Sequence, residues 1–252
     1  MRGLLNLGNT CYFNSAIQAL AHVPPLSNKL LRDPPFRGTC EITREYQKVV
    51  RQIWTTREPG PVDPSALLGA FRARFGSFAN NGQHDAQEVI LAMIDVLESS
   101  MGHEFIRGIF NGVETQETVF PGGKSSRDET FTTRLVHGAP LEDEPAWKTL
   151  NGYTDDHGQT HNVAAVRTTV SRWPRVPIVT FVPAGRAPEQ LPSGHKLIAA
   201  VIHHGSYASG GHYATAVRRK GAWFLKDDDV VTACALPAGS CYVAMYATAG
   251  KC

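Results

Sequence analysis

Several absences narrow the chemistry of this sequence before any motif is read. No apolar run approaches the roughly 18–20 residues that a membrane helix needs, and the opening "MRGLLNLGN" has too short an apolar stretch for a signal peptide. There is no block of Lys or Arg, and the net charge over 252 residues is only +2. Neither nucleic acid nor a membrane surface is therefore expected as a partner. The five cysteines, Cys11, Cys40, Cys234, Cys241 and Cys252, are odd in number and form no CxxC pair. That argues against a disulfide framework and against a four-cysteine zinc site. Without an export signal the expected compartment is reducing, cytoplasm or nucleus, and there a single well-placed cysteine is a candidate nucleophile.

What remains is an ordinary globular composition, 42% hydrophobic and 19% charged, long enough to bury one large core. The first hundred residues carry helical periodicity. Phe13, Ala16, Ile17, Leu20 and Ala21 share one face of a helix that begins at Cys11 and is expected to end at Pro24-Pro25. A second helix fits residues 41–55. A third fits "DPSALLGAFRARFG", with Asp63 as cap, Pro64 at the first position and Gly76 as stop. A fourth fits "HDAQEVILAMIDVLESS".

The second half changes to short runs rich in β-branched and aromatic residues, among them "HKLIAAVIHH", "HYATAVRR", "AWFLK" and "CYVAMYA". "GHYATAVRRKGAWFLKDDD" reads as a hairpin turning at Lys220-Gly221. Residues 111–160 are weakly patterned, and short strands and loops are expected there. Helices first and an antiparallel sheet second predict an α+β fold, with a cleft where the halves meet.

Cys11 sits at the junction of a loop and a helix, in "NLGNTCYFNSAIQAL". With Asn9 or Thr10 as cap, the first-turn N–H groups and the helix dipole would lower the thiol's pKa and face a developing oxyanion. Asn6 could add an amide donor, and Gly8 a tight turn. Packing alone explains a helix-start cysteine equally well, and Asn6 alone is a common turn residue. The best base is His212, which opens a strand after Gly210-Gly211. The hairpin would bring Asp227 or Asp228 of "KDDDV" within its reach. A solvated strand-end histidine and a charged turn are the plain alternatives.

Taken together these stretches resemble the ubiquitin-specific proteases. "GLLNLGNTCYFNSAIQAL" is similar to that family's cysteine box and "GQHDAQEVI" to its Gln-Asp box. "HKLIAAVIHHGSYASGGHYATAVRRKGAWFLKDDDVV" is similar to its histidine box, and "CYVAMYA" to its closing strand. The resemblance implies a papain-like cysteine peptidase in a single catalytic domain, 1–252. A helical thumb would occupy 1–108 and a β-rich palm 109–252, with reduced fingers at about 111–170.

By motif match Cys11 is the nucleophile, His212 the base, Asp227 its orienting acid, Asp228 a neighbouring acid that assists or substitutes, and Asn6 the oxyanion amide. Trp223 is core. The implied substrate is ubiquitin, or a ubiquitinated protein, cleaved after the C-terminal Gly-Gly with no metal or organic cofactor and by a monomer. Gln83, Asp85, Glu88, Gly210, Gly211 and Tyr213 match tail-facing positions. Asp85 and Glu88 would pair with arginines of the tail, although Asp85-x-x-Glu88 is also a capping box. A catalytically silent ubiquitin-binding module and a peptidase for a ubiquitin-like modifier or a polyprotein junction are the alternatives.

The chain departs from the family in three respects. The zinc-binding CxxC pairs are missing and residues 110–176 are short for full fingers, so a smaller or differently built grip is expected. His157 and His161 have metal-compatible spacing, but a solvated loop is the simpler reading. Lys226 stands where the family often has an apolar residue. The start of the chain so near the cysteine box fits either a minimal enzyme or a domain of a longer polypeptide, a viral polyprotein included. The Pro/Gly-rich stretch 183–195 is expected to be a mobile loop beside the cleft.

Overall fold

The computed structural model describes residues 1–55, 58–137, 145–207, 210–236 and 240–248. Cys252 and part of "SYASGGHYATAV" lie outside the described residues. Among the described residues six helices come first: α1 (Cys11–Ala21), α2 (Pro24–Arg32), α3 (Glu41–Thr55), α4 (Ser65–Arg74), α5 (Ala86–Met101) and α6 (His103–Phe110). A 3₁₀ turn, Gly76–Phe78, follows α4. No helix among the described residues is long and apolar enough to cross a membrane.

Pro24 and Pro25 do not stop the first helix so much as start the next. They occupy the first two positions of α2, where a missing N–H costs nothing. In α4 the cap position belongs to Pro64, one residue later than expected, while the Asp63 side chain accepts the Ser65 N–H at 2.8 Å. Gly76 opens the 3₁₀ turn rather than closing α4. α5 begins where its acidic cap predicts, at Asp85.

The expected amphipathic α1 is buried on every side. Its apolar face meets Phe71 and the other helices, and its far side meets the sheet, where Thr215 Oγ1 donates to the Ser15 carbonyl at 2.9 Å. The polar residues Asn14 and Gln18 are covered by the N-terminal segment, donating to the carbonyls of Leu5 and Arg2. Periodicity reports which residues are apolar, and here the polar face found protein partners instead of water.

Among the described residues eleven strands form two sheets. β3 (Thr133–His137), β6 (Ile178–Gly185), β7 (Lys196–Tyr207), β8 (Gly210–Arg219), β9 (Ala222–Asp227), β10 (Val230–Cys234) and β11 (Cys241–Ala247) make a seven-stranded sheet in the order β10-β9-β8-β7-β11-β6-β3. It is antiparallel except where β3 runs parallel to β6. The β8–β9 hairpin turns at Lys220 and Gly221, both at positive φ, as a two-residue turn requires.

Alternation divides this sheet cleanly. Ala199, Val201, Tyr213, Val217, Val243 and Met245 face the helical core, whereas Ala200, Ile202, Ala216, Trp223, Ala244 and Tyr246 face a second core. Ala187 and Leu191 belong to that second core, each 2% exposed. The stretch 183–195 is thus pinned over the face away from the helices, not set beside the cleft. Its backbone is further held by Leu191 N–H to the His195 carbonyl and Leu197 N–H to the Glu189 carbonyl.

Residues 112–131 and 148–172 hold more regular structure than their pattern suggests. β1 (Gly112–Phe120), β2 (Gly123–Phe131), β4 (Lys148–Thr154) and β5 (Thr160–Arg172) form a four-stranded antiparallel sheet in the order β2-β1-β5-β4. Both faces carry polar residues in these strands, so the apolar alternation that marks a half-buried strand is weak. The β4–β5 turn is built, not loose. Asp155 Oδ1 accepts the N–H groups of His157 and Gln159, and Oδ2 pairs with His161 Nε2 at 3.0 Å. His161 is buried against Phe120, ring centroids 4.5 Å apart. The solvated-loop reading fails for His161, because its aromatic neighbours bury the ring and an acid takes its nitrogen.

Candidate active site

α1, the β8–β9 hairpin and the N-terminal segment converge on one place. Cys11 is the first residue of α1 and is 3% exposed. The chain reaches it through a tight loop in which Gly8 (φ +95°) and Asn9 (φ +51°) are both left-handed. Thr10 holds the cap position without capping the helix. Its hydroxyl instead accepts the Leu7 N–H at 2.9 Å and donates to Asn6 Oδ1 at 3.2 Å. The first-turn N–H groups therefore stay available.

Those N–H groups do not make the thiol acidic. Burial pushes the Cys11 thiol above the ordinary thiol range, and the nearby Asp228 carboxylate adds to the rise. The backbone N–H groups of Tyr213, Tyr12 and Cys11 oppose it without overcoming it. The expectation of a lowered pKa is corrected here, because desolvation of the sulfur outweighs the helix terminus. The Tyr213 contact also sets the sulfur against the residue that follows His212.

His212 begins the regular part of β8, and Asp227 ends β9 one residue beyond the Thr215–Lys226 pair. His212 Nε2 lies 2.5 Å from Asp227 Oδ1, and both side chains are nearly half exposed. With Nε2 committed to the carboxylate, Nδ1 is left as the ring's second nitrogen. Asp228 stands in the β9–β10 turn at φ +48° and does different work. Its Oδ2 accepts the Asn6 amide at 2.7 Å and its Oδ1 the Asn14 amide at 2.8 Å. Asn6 Oδ1 accepts the N–H groups of Gly8 and Thr10 at 2.9 and 3.3 Å.

The ligating atoms of His212, Asp227 and Asp228 lie within 4.8 Å of one another, so this set could also hold a divalent cation. Asp227 is committed to the imidazole and Asp228 to two amides, which is the arrangement an orienting acid and an amide clamp need.

The six tail-facing positions divide. Gln83 has a buried Oε1 with no hydrogen-bond partner among the described residues. Glu88 is exposed in the first turn of α5. Asp85 is already occupied: Oδ1 caps α5 through the Gln87 N–H at 2.7 Å, and Oδ2 accepts the Tyr242 hydroxyl at 2.5 Å. Gly210 has open space where a side chain would stand. Gly211 does not, since a Cβ there would lie 2.4 Å from the His204 carbonyl and its φ is +124°. Its glycine is required by the β7 backbone. Tyr213 is 1% exposed, its ring 4.5 Å from His203 and its hydroxyl meeting the Ala86 N–H. Its ring is enclosed and presents almost no surface to solvent.

Asn14 and Tyr242 touch this cluster through Asp228 and Asp85, and the motifs did not single them out. An amide three residues after Cys11 was the only signal for Asn14. Tyr242 gave none, because its partner is 157 residues away.

Comparison with known proteins decides the family. The model of the ubiquitin carboxyl-terminal hydrolase family matches residues 2–182 and 154–246. This chain belongs to that family. Membership implies the papain-like cysteine peptidase fold, and the helices and sheets described above agree with an α+β chain. Ubiquitin carboxyl-terminal hydrolases 22-B and 22-A of Xenopus laevis are each 30% identical to it over 162 residues, 58% of this chain. The chain covers only 29% of the length of either.

Proposed function

We propose that this hydrolase-family chain is a thiol-dependent deubiquitinase that cuts the peptide or isopeptide bond after the terminal glycine of ubiquitin. The observation that carries the reading is the 2.5 Å His212–Asp227 contact beside a cysteine at a helix start. In this reading residues 1–108 act as thumb, the seven-stranded sheet as palm and the four-stranded sheet as fingers. The enzyme works as a monomer in the cytoplasm or nucleus, and no metal or organic cofactor enters the reaction.

Cys11 rests as a thiol. As its sulfur attacks the glycine carbonyl, the thiol proton passes to His212 Nδ1, and Asp227 stabilises the imidazolium from Nε2. The carbonyl oxygen, now an anion, is held by first-turn N–H groups and by the second Nδ2 hydrogen of Asn6, the first being bound to Asp228. The C–N bond breaks as the leaving lysine amine takes the proton from His212, which leaves a thioester. Water then attacks, giving a proton to His212, and collapse returns it to the sulfur. Gln83, Glu88 and the open space at Gly210 line the approach of the ubiquitin tail.

Steady-state hydrolysis of ubiquitin carrying a fluorogenic C-terminal amide tests this. Cys11→Ala should abolish turnover, and Asn6→Ala should slow it by roughly 10²–10³. Asp227→Ala should slow both turnover and alkylation of Cys11 by iodoacetamide, whereas Asp228→Ala should slow turnover alone. Equal activity in Asp227→Ala and wild type defeats the triad. Preference for a ubiquitin-like modifier in the same assay defeats the substrate assignment.

A further inference from the structure

We propose that Asn14 is a positioning residue of this site: through Asp228 it sets the direction of the Asn6 amide and keys it to the helix that carries Cys11. The inference deepens the proposed function and rests on its reading of Asn6 as an oxyanion donor.

Asn14 is 2% exposed on a helix buried all round, three residues after Cys11. Its Nδ2 carries two hydrogens. One goes to the Leu5 carbonyl at 3.1 Å and the other to Asp228 Oδ1 at 2.8 Å. Neither acceptor has a hydrogen to give, so chemistry fixes which way the amide points. Its Oδ1 is left buried and without a hydrogen-bond partner among the described residues. Such an atom is costly, and an apolar side chain of the same size would fill the space without that penalty. The amide is retained for what its nitrogen holds.

What it holds is a clamped carboxylate. Asp228 Oδ2 takes the Asn6 amide at 2.7 Å, and the Asp228 carbonyl takes the Leu4 N–H at 2.8 Å. A Cβ on Gly3 would lie 2.4 Å from that same carbonyl, so the turn is pressed onto the segment that leads into Asn6. The Asn6 oxygen is bound to its own loop at Gly8 and Thr10. With Oδ1 and one Nδ2 hydrogen held, the planar amide has one direction left for its second hydrogen. Without Asn14 the Asp228 carboxylate can turn about its side-chain torsions, and that direction loosens. The imidazole arm is separate, His212 being held by Asp227 and not by Asp228. Asn14 therefore acts on the oxyanion donor and not on the imidazole, and its loss leaves in place the Asp228 charge that faces the sulfur.

The test uses the full chain and two variants, Asn14→Ala and Asn14→Leu, the second keeping the volume. Each is measured below its own unfolding transition. Turnover of a ubiquitin C-terminal amide should fall about tenfold in kcat with KM unchanged. The rate and pH profile of Cys11 alkylation by iodoacetamide should stay as in wild type. In an Asn6→Ala background the same change should cost less than about twofold more, because the two residues act as one unit. An unchanged kcat, additive losses with Asn6→Ala, or alkylation falling in step with kcat would each overturn the proposal. Full activity in Asn6→Ala alone would instead defeat the underlying reading of Asn6, and an essential Asn6 beside a neutral Asn14 would defeat only this inference.

Discussion

Cys11, His212 and the two aspartates show how four neighbouring side chains divide the contacts of one site. The sulfur is buried and Asp228 is close, so charge on the sulfur is disfavoured at rest. Raised above the ordinary thiol range, the group keeps its proton until pH climbs past the value of a free cysteine. Alkylation by iodoacetamide, followed against pH in the substrate-free enzyme, should therefore rise with a midpoint above that of a free thiol. A plateau reached below neutral pH would mean a resting thiolate–imidazolium pair. Asp227 and Asp228 are adjacent in sequence, yet one orients the imidazole and the other holds amides. The hairpin register made this separation legible in part. A turn after Asp227 must send the next side chain elsewhere, but which groups it meets depends on Asn6 and Asn14, more than two hundred residues away.

At the scale of elements, α5 and β11 meet at Asp85. The sequence offered this acid two roles, capping and binding arginine, and the fold commits both its oxygens to Gln87 and Tyr242. Glu88 makes no hydrogen bond or ion pair with another described residue, so only half of the capping box forms. Two different outcomes are expected. Asp85→Ala should lower stability by about 1 kcal/mol in urea unfolding, the loss of a helix cap. Glu88→Ala should leave stability unchanged and raise KM for ubiquitin by roughly two- to fivefold, the value of an exposed pair with a tail arginine. If substitution of the tail arginines affects wild type and Glu88→Ala alike, Glu88 does not bind the tail. The long helices and the β8–β9 hairpin were readable because period and turn chemistry agreed there. α2 was hidden behind Pro24-Pro25, which start a helix as readily as they end one. The four-stranded sheet was hidden because strands wet on both faces carry little periodic signal.

Across the whole molecule, two buried basic side chains lie near the C-terminal end of α1, His22 at its C-cap and Lys226 on β9. His22 is held neutral by burial, its pKa brought down to about 3. Lys226 is 2% exposed, its ammonium donates to the Arg2 carbonyl at 2.7 Å, and burial brings its pKa down to about 8. Both are depressed below their unfolded values, so each adds stability that is full above the unfolded pKa and is lost as pH falls through the folded one. For Lys226 the loss is complete at neutral pH, where the buried group must carry its charge. Lys226→Met should raise stability at pH 7 by about 1–2 kcal/mol, net of the hydrogen bond to Arg2. The gain should vanish toward pH 10.5, as urea midpoints at both values would reveal. A lower midpoint at pH 7 would mean that the tie to Arg2 outweighs burial. The departure from an apolar residue was visible in "KDDDV", but its consequence was not, because it depends on which carbonyl the ammonium reaches. The central claim, that Cys11 attacks the end of ubiquitin, is tested most directly by ubiquitin bearing a C-terminal electrophile, with the product mapped by mass spectrometry. One ubiquitin attached to Cys11, and none in Cys11→Ala, is the result expected. Reversible binding with no adduct, or an adduct on Cys40, Cys234 or Cys241, would contradict it.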